Sequence, residues 1–441
     1  MGRRSHARAL NVWMNGQLVG EWRLPSRGPM ELLYHDDWKR SPETRPLSLS
    51  LPLTPDPLPL RGDAVRNYFD NLLPDSDGIR ARLQSRFRTA SREAFDLLEA
   101  IGRDCVGAVQ LLPQEREPDD VLRIEADPLD DDGIERILKA TVSGTNALTR
   151  DDDDFRISIA GAQEKTAFTW HQGRWCRPLG STPTTHIFKL PLGLVGNRQA
   201  DMHTSVENEW LCAQILAGFG LPVAASEIAR FGDQKVLVVE RFDRKIAAGG
   251  NYWLRLPQED FCQATGCPPQ LKYEADGGPG ILDIARILAN SEKREGDLRT
   301  LLTAQLLFWA LAATDGHAKN FSIFLLAGGR YCMTPLYDAL SAWPVTGDGG
   351  NLLDYQKLKL AMAVRGKNPH YRLRDIQRRH FLSTAVKCGL GDDMQHVIDD
   401  VVDRCPDVLN DVAQRLPKGF PEHVFSAVAD GMITSIRRLS D

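Results

Sequence analysis

The sequence predicts an α+β protein in two lobes, the first β-rich and the second mostly helical, with an extra β-rich subdomain in front. Three observations predict this. Asn15-Gly16 between two apolar segments marks an opening hairpin, since Asn-Gly accepts the positive φ angles of a type I′ turn. Residues 155–245 carry short β-rich runs around one helical stretch, and after Asp338 helical patterns dominate.

Leu10-Asn-Val-Trp-Met14 and Gln17-Leu-Val-Gly-Glu-Trp22 are the arms of the hairpin. Leu47, Leu49, Leu51 and Leu53 alternate with Ser48, Ser50 and Pro52, which predicts a strand with one apolar face. Asp63 to Leu73 reads as a helix stopped by Pro74, and Ser91 to Ile101 as a second, capped by Ser91 and ended at Gly102. Val106 to Leu112 returns to strand, completing a first unit at 1–112. Residues 113–154 form an acidic connector: Asp130 to Asp132 and Asp151 to Asp154 read as solvated runs, and Ile134 to Ala140 as a helix.

The next unit, 155–245, opens with a predicted strand, tight turn and strand over Phe155 to Phe168. A strand at Thr185 to Pro191, a helix at Ser205 to Leu216 and a strand over Val236 to Asp243 follow. The final unit, 246–441, holds the Asp276-Gly-Gly-Pro-Gly280 loop and a strongly apolar helix at Leu298 to Ala313. A hairpin from Phe321 to Met333 turns at Gly328-Gly329, and helices are predicted at His380 to Cys388, Met394 to Val402 and Val424 to Leu439.

With 441 residues, 42% hydrophobic and 26% charged, the chain can build sizeable cores. A net charge of -5 argues against binding nucleic acid through bulk charge. No run of about 18 apolar residues occurs, and the basic start Met1-Gly-Arg-Arg4 leads into no apolar segment, so a cytoplasmic protein without a membrane partner is expected. The eight cysteines are scattered, with no zinc spacing, and should be reduced and mostly buried.

Candidate chemistry centres on Ala313-Thr-Asp-Gly-His-Ala-Lys-Asn320. Asp315 precedes Asn320 at D-x-x-x-x-N spacing, as in a kinase catalytic loop, and the following hairpin leads to Asp338. Phosphoryl transfer needs an acid beside the attacking hydroxyl and oxygen ligands for magnesium. Asp315 is the candidate for the first role, Asn320 and Asp338 for the second; the plainer reading is a polar loop capped by Asn. Lys189, flanked by Ile187, Phe188 and Leu190, needs an anionic partner unless it snorkels from an edge strand. Glu209 on the next helix is the candidate partner, and either glutamate of that helix, Glu207 or Glu209, is otherwise simply solvated. The turn at Gly161 offers backbone N–H groups to a phosphate, or is ordinary hairpin chemistry. Arg372, Arg374, Arg378, Arg379 and Lys387 form a basic cluster, by default a solvated face and otherwise a nucleic-acid contact.

Taken together, these stretches resemble the HipA family, the serine/threonine kinase toxins of bacterial HipBA toxin–antitoxin modules. The likeness runs through Arg45-Pro-Leu-Ser-Leu-Ser-Leu-Pro52, Asn67-Tyr-Phe-Asp-Asn-Leu-Leu-Pro74, Ile101-Gly-Arg-Asp104, Ser158-Ile-Ala-Gly-Ala-Gln-Glu-Lys165, Ala313 to Asn320, and Lys357-Leu-Lys-Leu-Ala-Met362. It implies a protein-kinase-like fold that uses ATP and Mg2+. The glycine-loop equivalent falls on Ala160, Gly161, Ala162, Gln163, Glu164 and Lys165, the ATP-phosphate lysine on Lys189, and the adenine hinge on Glu240, Arg241 and Phe242. The catalytic base falls on Asp315, further nucleotide contacts on His317, Ala318, Lys319, Asn320 and Tyr337, and the magnesium ligand on Asp338. The serine that the family autophosphorylates falls on Ser158.

The resemblance also implies three partners: a HipB-type helix-turn-helix antitoxin, operator DNA through that complex, and an aminoacyl-tRNA synthetase substrate, typically glutamyl-tRNA synthetase. Arg379 and Lys387 overlap the DNA-facing region. Only Lys387 approximates a family lysine, and Gly389 stands where the family carries arginine. A small-molecule kinase and a non-catalytic corepressor are the competing readings. Intact Lys189, Asp315, Asn320 and Asp338 argue against the second.

Overall fold

The computed structural model describes residues 7–143, 158–161, 163–196 and 198–440. The amino-terminal unit is one antiparallel sheet with helices packed on it. Its strands are β1 (Arg8–Met14), β2 (Gln17–Leu24), β3 (Glu31–Tyr34), β4 (Leu60–Arg61) and β5 (Val109–Pro113), in the order β4-β3-β2-β1-β5. Asn15 and Gly16 both take positive φ, as the hairpin requires. Helices α1 (Asp36–Arg40), α2 (Asp63–Asp70), α3 (Asp77–Phe87) and α4 (Ala94–Ile101) complete it. Trp22 on the sheet stacks on Phe69 of α2, centroids 3.9 Å apart, and meets Phe95 of α4 at 4.8 Å, so sheet and helices share one core.

The small lobe holds β6 (Ala126–Pro128), α5 (Asp131–Ser143), β7 (Lys165–His171), β8 (Arg174–Pro178) and β9 (His186–Lys189). The short pair β10 (Leu194–Val195) and β11 (Ala200–Asp201), α6 (Ser205–Gly218), β12 (Ser226–Phe231) and β13 (Gln234–Glu240) follow. The sheet order is β12-β13-β9-β7-β8-β6. Side chains alternate across it: Val236 and Val238 pack with Ile134 and Leu138 of α5, while Leu237 joins Leu211 and Ile215 of α6. One helix therefore covers each face. The antiparallel β7–β9 register sets Lys165 opposite Lys189.

Beyond this lie β14 (Arg244–Ile246), β15 (Trp253–Arg255), β16 (Gln258–Asp260), α7 (Phe261–Thr265), α8 (Ile281–Leu288) and α9 (Arg294–Ala310). Then come β17 (Ser322–Leu325), β18 (Tyr331–Met333), β19 (Lys359–Arg365), β20 (Pro369–Arg372), α10 (Arg378–Cys388), α11 (Asp393–Gln414) and α12 (Glu422–Arg437). From Leu298 to Ala310 α9 is buried at nearly every position and is the centre of the large lobe, with α10, α11 and α12 packed on it. Its carboxy-terminal end delivers the Asp315 segment. A Cβ on Gly316 would stand 2.4 Å from Phe308 Cδ2, so this segment needs glycine to lie so close to α9.

Several expectations are corrected. Leu47 to Leu53 is no strand beyond a single Ser48–Leu51 bridge, because the Ser48 and Ser50 hydroxyls bond the Gln263 carbonyl of the large lobe, at 3.1 and 2.7 Å. The helix begun at Asp63 ends at Asp70, before Asn71 to Pro74. Ser91 does not cap α4, which starts at Ala94; its hydroxyl accepts from Glu93 N at 3.1 Å. Residues 158–160 are irregular and strand begins only at Lys165, while the Phe155 to Ile157 part of that expectation lies outside the described residues. Helix α11 does not stop at Val402 but runs through Pro406 to Gln414, since buried Cys405, Val408, Leu409 and Val412 continue its apolar stripe. Seven of the eight free cysteines are buried and Cys267 is half-buried. Among the described residues no helix is long and apolar enough to cross a membrane.

Candidate active site

Strand β9 ends in Lys189, whose neighbours Phe188 and Leu190 are buried with it. Its ammonium nitrogen lies 2.6 Å from Glu209 Oε1 on α6 and 2.8 Å from Asp338 Oδ1. Burial alone would depress the lysine, but the two carboxylates outweigh it and hold the ammonium well above its ordinary range. Asp338 is likewise opposed by burial and kept ionised by Lys189 and Lys165. Its backbone is left-handed, φ 60°, a conformation an Asp adopts at a cost. Lys165 faces Lys189 across the sheet and donates to the Ala160 carbonyl at 2.6 Å. Burial and the adjacent Lys189 push it down to about 8. Among the described residues Lys165 makes no direct ion pair, while Lys189 has two.

Asp315 is exposed at the head of its loop. The loop is locked by its own members: Asn320 Nδ2 donates to the Asp315 carbonyl at 2.7 Å, and His317 N–H to the same oxygen at 2.8 Å. Because the Asn320 amide nitrogen is used this way, its Oδ1 is the atom left to ligate a metal. The Tyr273 hydroxyl donates to Asp315 Oδ1. Its ring stands edge-on to His317, whose imidazole is pushed below its ordinary range chiefly by burial. His317 Nε2 lies 3.8 Å from Asp315 Oδ1, and the residue before Asp338, Tyr337, is bonded to this loop, so the loop and the Lys189 group are neighbours. Tyr337 packs against Phe242, centroids 5.7 Å apart, and gives its hydroxyl to the Lys319 carbonyl at 2.8 Å. Val223, Ala224, Val239, Glu209, Tyr337 and Asp338 line a small adjoining cavity.

The structure thus brings Lys189, Glu209 and Asp338 into direct contact, sets Lys165 opposite Lys189, joins Asp315, His317 and Asn320 in one loop beside Tyr337, and packs Phe242 against Tyr337. Other positions are turned elsewhere. The Lys319 ammonium does not face the cleft; it bonds Asn71 Oδ1 at 2.9 Å and Asp75 Oδ1 at 3.2 Å. The Arg241 side chain is buried against Asp243 at 2.7 Å and Asp104 at 3.4 Å, and the Glu240 N–H is bonded to the Ala225 carbonyl. Any hinge contact from these two comes from other backbone groups. Gln163 Nε2 donates to the Leu190 carbonyl, at 2.5 Å, and Glu164 pairs with Arg82. Ala318 is buried and donates its N–H to the Lys272 carbonyl. Ala162 lies outside the described residues.

Ser158 is fully buried; its hydroxyl donates to the Leu72 carbonyl at 2.7 Å and its N–H to the Asp104 carbonyl at 3.0 Å. In the basic cluster Arg378 pairs with Asp399 and Lys387 bonds the Gly366 carbonyl, while Arg379 is exposed. Sequence reasoning missed Tyr273, Asp75 and Asp104. Two of them sit in or beside stretches that carried the resemblance, Asn67 to Pro74 and Ile101 to Asp104, which had no assigned role.

The fold and these groups define a two-lobed, kinase-like α+β protein. Residues 157–409 match the HipA-like C-terminal domain and residues 10–112 the HipA N-terminal domain. The chain belongs to the HipA family. Over 338 residues, 76% of this chain and 77% of the other, it is 36% identical to Y4mE of Sinorhizobium fredii, whose description proposes a kinase. It is 30% identical over 327 residues, 70% of this chain and 69% of the other, to the serine/threonine-protein kinase toxin HipA of Shewanella oneidensis. The solved complex of HipA, HipB and operator DNA from Shewanella oneidensis contains a chain of the same fold, with TM-score 0.78 and 22% identity over 98% of this chain and 97% of that one.

Proposed function

We propose that this chain is an ATP- and magnesium-dependent serine/threonine protein kinase that acts as the toxin of a toxin–antitoxin pair in the cytoplasm. The observation that carries this is Lys189 bridging Glu209 and Asp338 beside the loop that bears Asp315. Lys189 and Lys165 orient the phosphates of ATP, and Phe242 and Tyr337 offer an apolar wall to its base. Asn320 and Asp338 hold the metal, which when bound supplies charge neutralisation for the transferring phosphoryl group. The acceptor hydroxyl displaces Tyr273, sets its oxygen toward the γ-phosphorus and gives its proton to Asp315. The new O–P bond forms as the bond to ADP breaks.

The acceptor we favour is an aminoacyl-tRNA synthetase, glutamyl-tRNA synthetase first, and the partner a HipB-type antitoxin that carries the chain to operator DNA, where the pair represses its own operon. Support comes from the family and from the HipA–HipB–DNA complex of the Shewanella relative. We further propose that Ser158 is autophosphorylated. Roughly two added negative charges find no room where the Ser158 hydroxyl now sits, so the modified loop leaves and silences the kinase. Phosphoproteomics of cells expressing wild type, Asp315→Asn and Ser158→Ala tests both steps. Growth arrest and a new synthetase phosphosite are expected in wild type and absent in Asp315→Asn; the same site and arrest in both would overturn the kinase. Phosphate remaining on the same tryptic peptide in Ser158→Ala would overturn the switch.

A further inference from the structure

The stretch Asn71-Leu-Leu-Pro-Asp75 follows α2 in the amino-terminal unit, far in sequence from either loop of the cleft. Toward the phosphate loop it uses backbone. The Leu72 carbonyl accepts the Ser158 hydroxyl at 2.7 Å, Pro74 forms a parallel bridge with Gly161, and Asp75 N–H donates to the Gly161 carbonyl at 3.1 Å. Toward the catalytic loop it uses side chains. Asp75 Oδ1 lies 3.2 Å from the Lys319 ammonium and Oδ2 3.0 Å from that of Lys272, next to Tyr273. The Asn71 carbonyl and Oδ1 take the same Lys319 at 3.2 and 2.9 Å, and Asn71 Nδ2 reaches the Cys267 carbonyl at 2.9 Å.

Lys319 is buried, so its charge is tolerable only while Asn71, Asp75 and Asp260 surround it. That requirement makes the join rigid. One residue, Asp75, ends two loops at once: its N–H fixes Gly161 and its carboxylate fixes Lys319. We propose that the Asn71–Asp75 turn is a strut that sets the phosphate loop against the catalytic loop, with Asn71 and Asp75 as positioning residues for phosphoryl transfer. Because the same turn accepts the Ser158 hydroxyl, the strut also governs how often that serine leaves its buried place. The inference deepens the kinase reading and rests on it.

Full-length Asp75→Asn keeps the side-chain shape and the N–H but discards the charge. The expected result is an ATP KM raised about tenfold and amide exchange at Ser158 about tenfold faster. Lys319→Met should reproduce this, the double variant should be no worse than either single, and Asp75→Glu should recover part of the ATP affinity. A lowered Tm with ATP KM and Ser158 exchange as in wild type would refute the strut, as would full additivity of the two variants. Asp315→Asn serves as the reference, losing turnover while Ser158 exchange stays at the wild-type rate. If wild type itself shows no Asp315-dependent transfer, the kinase reading fails, and the exchange rates alone still decide on the strut.

Discussion

Lys189 shows how one side chain can hold a cleft together. With its ammonium removed, Glu209 and Asp338 are left as neighbouring carboxylates with no cation between them. Lys189→Met is therefore expected to destabilise the fold by about 3–5 kcal/mol and to abolish ATP binding; thermal unfolding and equilibrium nucleotide binding check the two effects separately. Retained nucleotide affinity would remove Lys189 from the site. At this scale the sequence was informative wherever the partner is local or the residue type costly. A lysine among apolar neighbours demanded an anion, and the kinase precedent of a paired glutamate on the helix after the lysine strand offered Glu209. Lys319 was misassigned for the converse reason: its partner Asn71 is 248 residues away, and nothing in the spacing of the loop shows which way an ammonium turns.

At the scale of elements, β16 carries Glu259, wholly buried, whose Oε1 accepts the Leu49 N–H at 2.8 Å. Burial pushes it up to about 8 from an ordinary 4.5. The folded state thus holds a proton that the unfolded chain releases, so this contribution is fully present below the unfolded value and fades as pH rises toward 8. Wild type is expected to lose up to about 1.4 kcal/mol per pH unit across that window from this group, and Glu259→Gln to flatten the decline. Tm measured from pH 5 to 8 for both proteins checks it, and parallel curves would count against a neutral Glu259. Elements with strong periodicity or turn chemistry were legible: the Asn15-Gly16 hairpin, α6, α9 and the hairpin turning at Gly328-Gly329 all form. Leu47 to Leu53 was not, because its serines are spent on the Gln263 carbonyl of another unit rather than on a neighbouring strand.

Across the whole molecule, the amino-terminal unit, the Ser158 segment and the segment Arg241 to Arg255 converge on one buried carboxylate. Asp104 lies 3.4 Å from Arg241, 3.0 Å from Arg244 and 3.2 Å from Arg255, accepts the Thr184 hydroxyl at 2.7 Å, and offers its carbonyl to Ser158. Asp104→Asn leaves Arg241 and Arg244 with Asp243, and takes from Arg255 its carboxylate contact among the described residues. A loss of about 3–5 kcal/mol and a Tm lower by several degrees are expected; a Tm within a degree of wild type would mean the cluster is not an organising centre. By itself the sequence determined the class of fold and the order of β-rich and helical parts, and it showed that Lys189 needs an anionic partner, because periodicity, turn chemistry and the cost of burying charge are all local. Only the tertiary structure decided which of those residues meet. Contacts such as Asp75 with Lys319, or Asp104 with Arg241, Arg244 and Arg255, join segments more than a hundred residues apart, and the direction of a buried charge follows from what the rest of the chain packs beside it.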